Sequence, residues 1–274
     1  MLAKRLISSA FLGVLFAVTL LTSNTQPWLL LTVANLFVGF GMYEVLSMVE
    51  KKGVFVFKLY VVSSGIVFSS SIFFSIHNLI PNDYSALVIL AFFVGLLILY
   101  GIKNGIEGSM FGIFASIGTV FYVSWFFSFL MRINYMQPNG GGWLIFYIFV
   151  MVYLSDIFAY GFGNLFGRHK LAPVISPKKT VEGAIGGIVG AVCGAVLGKL
   201  FFVQGLAWHH VLYLGLIIGF VSQIGDLFES ILKRDAGVKD SGHFIPGMGG
   251  VMDLIDGLLF CAPVIYLYLK IFVN

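Results

Sequence analysis

The sequence predicts an all-α integral membrane protein, a polytopic bundle of about nine transmembrane helices with a cytoplasmic N-terminus. Three observations carry this. Hydrophobic residues make up 59% of the 274-residue chain, charged residues only 10%, and the mean hydropathy of +1.00 lies far outside the soluble range. Apolar runs of about 18 residues recur, each long enough to cross a hydrocarbon core of about 30 Å as a helix. They lack the period-2 alternation of a membrane barrel.

Lys4 and Arg5 precede the first apolar run, at 6–21. This start resembles a secretory signal, but no small-residue cleavage site follows, so a retained helix is expected. Further spans are expected near 28–48, 59–76, 85–102, 109–131, 142–166, 182–203, 208–229 and 253–272. Serines 63, 64, 69, 70, 71 and 75 dilute the hydrophobicity of the 59–76 run. In the 182–203 run Gly186, Gly190, Gly194 and Gly198 recur every four residues, forming a side-chain-free face that lets another backbone approach closely. That face serves either a helix of the same chain or a homodimer. Cys193 and Cys261 fall inside apolar runs without metal-ligand spacing.

Nine spans place alternate loops on opposite sides, and cytoplasmic loops should hold the excess of Lys and Arg. With the N-terminus inside, Lys4, Arg5, Lys51, Lys52, Lys58, Lys103, Arg168, Lys170, Lys178, Lys179, Lys233, Arg234 and Lys239 are cytoplasmic, whereas Arg132, Lys199 and Lys270 lie outside. Topology thus accounts for the net charge of +4 without a nucleic-acid partner. One membrane domain is expected, divided softly into N-terminal helices (1–141) and a C-terminal region (142–274) that holds most intramembrane acids and the longest polar loops.

Carboxylates within spans are expensive, about 2.5–3.5 kcal/mol each when unpaired at mid-bilayer. Glu44 reads as an interfacial residue near Lys51 and Lys52, but Asp156, Asp226 and Asp253 need another explanation. The stretch Ser222–Gly257 holds six of the twelve acids of the chain, with Lys233, Arg234 and Lys239 among them. Asp226 and Glu229 are three residues apart, as are Asp253 and Asp256, so each pair projects from one helix face. Converging carboxylates suit Mg²⁺, and the neighbouring cations suit anionic phosphates. Together they suggest phosphoryl or nucleotidyl transfer. Gly237, Gly242, Gly247, Gly249 and Gly250 would let backbone N–H groups approach a phosphate. His243 is a candidate ligand or base; His169, His209 and His210 read as interfacial. A second polar loop, 167–183, contains Ser176, Pro177, Lys178, Lys179 and Thr180, leading to Glu182 at a helix start, with Ser or Thr placed as its cap.

The strings SILKR (230–234), KDSG (239–242) and IPGMGGVMDLID (245–256) resemble the C-terminal signature of the phosphatidate cytidylyltransferases, or CDP-diacylglycerol synthases. GDLFES (225–230), SDIFAY (155–160) and SPKKTVEG (176–183) are similar to further segments of that family, and the resemblance covers roughly residues 140–274. It departs at two positions: Met248 stands where the family has His, and Leu254 where it has Arg. Both changes remove polarity from the expected site, which implies weakened catalysis in this chain.

The resemblance implies transfer of the cytidylyl group of CTP to phosphatidic acid, giving CDP-diacylglycerol and pyrophosphate, with Mg²⁺ and room for a second cation. Asp226 and Asp253 are the expected metal ligands, supported by Asp256, Glu229 and Asp156. Lys233, Arg234, Lys239 and Asp240 join the acids as expected catalytic residues. Ser176, Pro177, Lys178, Lys179, Thr180, Glu182, His243, Gly249 and Gly250 are expected to bind substrate. The protein should lie in the inner cell membrane, among its lipids, with the site facing the cytoplasm. The alternative activity is that of a CTP-dependent polyprenol or phytol kinase. A transporter would show interrupted helices in two similar halves, which the one-sided clustering of charge opposes.

Overall fold

The computed structural model describes residues 13–103, 108–136, 141–245, 247 and 249–273. Among them, eight helices are long and apolar enough to span a membrane: α1 (Pro27–Lys51), α2 (Lys58–Ile76), α3 (Tyr84–Ile102), α4 (Ser109–Asn134), α5 (Gly142–Phe166), α6 (Val181–Phe201), α7 (Trp208–Asp235) and α8 (Met252–Phe272). Residues 13–21 are also helical, in the expected first span, and Phe16 packs on Phe149 with ring centroids 3.8 Å apart. The chain is therefore a multi-pass helical membrane protein, as its composition predicts. Lys4 and Arg5 lie outside the described residues.

The expected boundaries hold closely because each apolar run is flanked by strong punctuation. Pro27 opens α1 with its φ already helical. One boundary moves: α7 runs to Asp235 rather than stopping near 229. Glu229 and Lys233 are one turn apart on it, and Lys233 and Arg234 complement the negative end of the helix dipole. Gly237, at φ +68°, ends the continuation. The extension matters for the site, because Glu229, Lys233 and Arg234 are fixed on a helix rather than carried by a loop.

The serines of α2 contribute to packing. Asn35 Nδ2 donates to Ser70 Oγ at 2.9 Å, while Ser124 Oγ of α4 donates to the Gly65 carbonyl at 2.7 Å. Ser124 belongs to a π-helical stretch, Val120–Trp125, within α4. Such wide turns are rare and occur frequently at functional sites.

The most extensive interhelical packing is between α5 and α6, across the glycine face. A Cβ at Gly186 would meet Phe162, at Gly190 Phe158, at Gly194 Met151 and at Gly198 Tyr147, all on α5. The face is thus covered within the chain, the first of the two alternatives that the spacing allows. Gly190→Leu should lower stability by about 1–3 kcal/mol through overpacking. Gly205→Ala, with nothing within 4 Å of the added carbon, is the neutral control. Thermal unfolding in detergent measures both; an unchanged midpoint for Gly190→Leu would mean that α5 and α6 separate there without loss.

Between α5 and α6 the 167–183 loop forms an antiparallel hairpin of β1 (Lys170–Ala172) and β2 (Ser176–Thr180), a small departure from the all-helical expectation. Polar loop backbone must find hydrogen-bond partners, and here the two strands supply them to each other.

Candidate active site

The hairpin returns over the ends of α5 and α7 and closes a cavity of about 280 Å³ whose polar lining includes Asp156, Lys178, Lys179, Thr180, Gln223 and Asp226. Thr180 ends β2 and caps α6, its Oγ1 accepting from Gly183 N at 3.1 Å. The predicted cap is therefore in place, and it fixes the direction in which the hairpin leaves α6. Glu182 secures the other strand: its carboxylate accepts from Arg168 N at 3.0 Å and from His169 N at 3.2 Å, and pairs with His169 Nδ1 at 2.7 Å. In this structure Glu182 holds the hairpin rather than facing the cavity. Arg234 has a similar task, donating from Nε to the Ile175 carbonyl at 3.1 Å and from Nη1 to the Val238 carbonyl at 3.2 Å.

Within the cavity Lys179 Nζ lies 2.5 Å from Asp226 Oδ2. Asp156 is within electrostatic range of both. Two carboxylates and two lysines, contributed by α5, α7 and the hairpin, thus meet at one opening. Pro177 and Lys178 are exposed and Ser176 half-buried, on the strand that carries Lys179.

A second polar cluster lies at the start of α8. Lys233 Nζ donates to Asp253 Oδ1 at 2.6 Å and pairs with Glu229 one turn back on its own helix. Asp253 Oδ2 accepts from Ser241 N at 3.0 Å, Ser241 Oγ at 2.9 Å and Gly250 N at 2.8 Å. Gly249, at φ +102°, would place a Cβ 2.7 Å from Asp253 Oδ2, so a side chain is excluded there by both conformation and space. The glycines expected to cradle phosphate are occupied otherwise: the Gly250 amide binds Asp253, and Gly249 makes room for it. Lys239, Asp240 and His243 are exposed, with no side-chain hydrogen bond or ion pair among the described residues.

Asp256, one turn along α8 from Asp253, links the two clusters, lying within electrostatic range of Glu229, Asp226 and Asp156. The five acids expected at a metal are thereby divided: Asp226 and Asp156 open on the cavity, while Asp253 and Glu229 are engaged by Lys233. Among the described residues no three acid, His or Cys side chains converge as a ready metal cage.

Three further residues of this region are not singled out by sequence pattern. Glu44, which the sequence places at the interface, is instead 1% exposed and binds the backbone at the start of α8. The nearby lysines suggested a membrane surface, but Lys58 pairs with Glu50 and Lys52 with Asp235 of α7, leaving Glu44 to the interior. Tyr122, in the π-helical stretch of α4, is buried without a hydrogen-bond partner for its hydroxyl among the described residues. It lies in electrostatic range of Asp256, Glu229 and Asp226, yet nothing distinguishes it in sequence from other tyrosines. Gln223, whose Nε2 donates to the Ala184 carbonyl at 3.0 Å, joins α7 to α6 beside the cavity.

Of the two departures from the family pattern, Met248 lies outside the described residues. Leu254 lines a neighbouring apolar cavity of about 590 Å³ with Phe16, Phe37, Phe149 and Tyr153.

A sequence model of the cytidylyltransferase family matches residues 3–272, nearly the whole chain. The chain belongs to the cytidylyltransferase family. Family relatives named phosphatidate cytidylyltransferase include one from Staphylococcus saprophyticus, 40% identical over 135 residues, covering 49% of this chain and 52% of the relative. Another, from Staphylococcus haemolyticus, is 43% identical over 136 residues, again covering 49% of this chain and 52% of the relative. One from Mycobacterium tuberculosis is 40% identical over 144 residues, covering 52% of this chain and 43% of the relative. The chain thus spans about half the length of the curated relatives it matches.

Proposed function

We propose that this protein transfers the cytidylyl group of CTP to phosphatidic acid, producing CDP-diacylglycerol and pyrophosphate for phospholipid synthesis. The observation that carries this is the cavity at the α5–α7 ends, where Asp156 and Asp226 meet Lys178 and Lys179 in a membrane-spanning member of the cytidylyltransferase family. A nucleotide triphosphate needs cations. A lipid phosphate needs a site it can reach without leaving the bilayer.

Mg²⁺ fits the donor set, since Asp156 and Asp226 present hard oxygens to one cavity, and this ion commonly takes one or two carboxylates and completes its shell with water and substrate phosphate. When bound it neutralises charge on the reacting phosphate oxygens. A second cation would fall to Asp256, close to the same acids. Lys178 and Lys179 attract the triphosphate, and the hairpin orients them through its attachments at Glu182 and Arg234. An oxygen of the lipid phosphate attacks the α-phosphorus of CTP as the bond to pyrophosphate breaks. Phosphate monoesters are already anionic at neutral pH, so little is asked of a general base, and positioning with electrostatics carries the rate. The apolar cavity lined by Leu254, Phe16, Phe37, Phe149 and Tyr153 suits acyl chains. Lys51, Lys52, Lys58, Lys170, Lys178, Lys179 and Lys239 lie at helix ends and in loops. The positive-inside rule supports a cytoplasmic site in an inner-membrane protein.

The test is product analysis in detergent with phosphatidic acid, Mg²⁺ and CTP labelled at either the α- or the γ-phosphate. α-Label should appear in lipid and γ-label in pyrophosphate. Lipid carrying γ-label, with CDP released, would replace this activity with that of a lipid kinase. No labelled lipid from either form would remove the cytidylyl-transfer proposal, and the same γ-labelled assay with a polyprenol or phytol in place of phosphatidic acid tests the kinase.

A further inference from the structure

Glu44 sits on α1, far in sequence from the residues assigned to chemistry, and is 1% exposed. Its Oε1 accepts from Val251 N at 3.0 Å, and its Oε2 from Met252 N at 2.9 Å and Ser241 Oγ at 3.0 Å. Val251 and Met252 open α8, and a helix begins with N–H groups that have no partner within it. Helices usually draw a cap from their own first residues, but Val251 has no side-chain oxygen to offer. Here a carboxylate from another helix supplies it, at the end of α8 where the dipole favours negative charge.

The surroundings are shaped to that carboxylate. A Cβ on Gly250 would lie 2.5 and 2.6 Å from the two oxygens of Glu44, and one on Gly242 would collide with the same group. Glycine at both positions lets the backbone at 242 and at 250 close around the acid. The Ser241 hydroxyl stands between Glu44 Oε2 at 3.0 Å and Asp253 Oδ2 at 2.9 Å. Having one proton, it donates to one of them at a time and ties the two acids together. From Asp253 the connection passes to Lys233 at 2.6 Å, and along α8 to Asp256.

We infer that Glu44 is a positioning residue of the active site: it holds Ser241 against Val251 and Met252 at the start of α8 and so sets where Asp253, Lys233 and Asp256 stand. This inference rests on the proposed transferase activity, and it makes the N-terminal helices part of the catalytic machinery. Glu44 does not line the cavity, so its effect on turnover runs through the residues it holds.

The experiment compares wild type with Glu44→Gln, which keeps the size of the side chain but replaces one acceptor oxygen with an NH₂ group. Hydrogen exchange in the 241–253 segment should accelerate about tenfold as the clamp loosens, while α6 stays protected. The kcat for CDP-lipid formation should fall about a hundredfold, the size of effect expected from small misplacement of reacting groups. KM for CTP should stay within about threefold, because no substrate contact is lost. Exchange equal to wild type, or kcat within about twofold of an active wild type, overturns the inference. If wild type makes no CDP-lipid, the transferase proposal fails by itself, and the exchange comparison still decides whether Glu44 clamps the segment. Should Glu44→Gln not fold, Ser241→Ala removes only the bridging hydroxyl. Its kcat is expected to fall about tenfold, and an undiminished rate overturns the inference equally.

Discussion

Asp226→Asn is expected to reduce cytidylyl transfer by about a hundred- to thousandfold, the size of effect seen when one electrostatic contact to a reacting group is lost. The fold should barely notice. Asp226 pairs with Lys179 at the cavity, where the two side chains are 38% and 26% exposed; partly exposed ion pairs contribute about 0–1 kcal/mol to stability, and asparagine keeps an oxygen to accept from the buried Lys179 Nζ. Asparagine keeps the shape and one carbonyl oxygen but removes the charge that balances Lys179 and would hold a divalent cation. Steady-state rates with labelled CTP, together with an unfolding midpoint measured in the same detergent, separate the two effects. Turnover near wild type would remove Asp226 from the proposed chemistry.

Lys233→Met should produce the opposite balance, a large loss of stability together with the loss of activity. Lys233 lies between Glu229, which is fully buried, and Asp253, whose side chain is 14% exposed. Removing the single cation leaves two carboxylates facing each other in a low-dielectric setting. Breaking a buried pair in this way costs about 3–5 kcal/mol. For a protein of this size that corresponds to about 10 °C in unfolding midpoint. Replacing Glu229 by Leu in the same chain should recover part of the loss, because one of the two stranded charges is gone. A midpoint within about 2 °C of wild type would show that water or counterions reach this cluster.

The contrast between these two residues was not visible in sequence. Both belong to one charged stretch, and the spacing of its acids suggested a single convergent metal set. Spacing along a helix fixes which face a side chain leaves from, but not which neighbour occupies that face. The structure gives Asp226 to the cavity and Asp253 to Lys233, because the hairpin brings Lys179 to the first while the extended α7 brings Lys233 to the second. Glu229 and Lys233 could be paired from sequence once α7 was known to continue, since a one-turn separation is enough. Glu44 offered a signal too: an acid in an apolar run is costly and needs a partner. Its partners are backbone N–H groups some two hundred residues away, and no local pattern names them.

What the sequence by itself determined is the bundle: which runs are long and apolar enough to cross the bilayer, where all but α7 start and stop to within a few residues, and the segments that bear the charge. Those features follow from hydrophobic length and from the cost of burying charge in lipid, both of which are local. Only the tertiary structure decided how that charge is shared. The glycine face of α6 went to α5, the hairpin placed Lys179 against Asp226, and Glu44 took the start of α8. The partners in these contacts come from separate elements, and close approach of backbones at glycine decides which of them can meet.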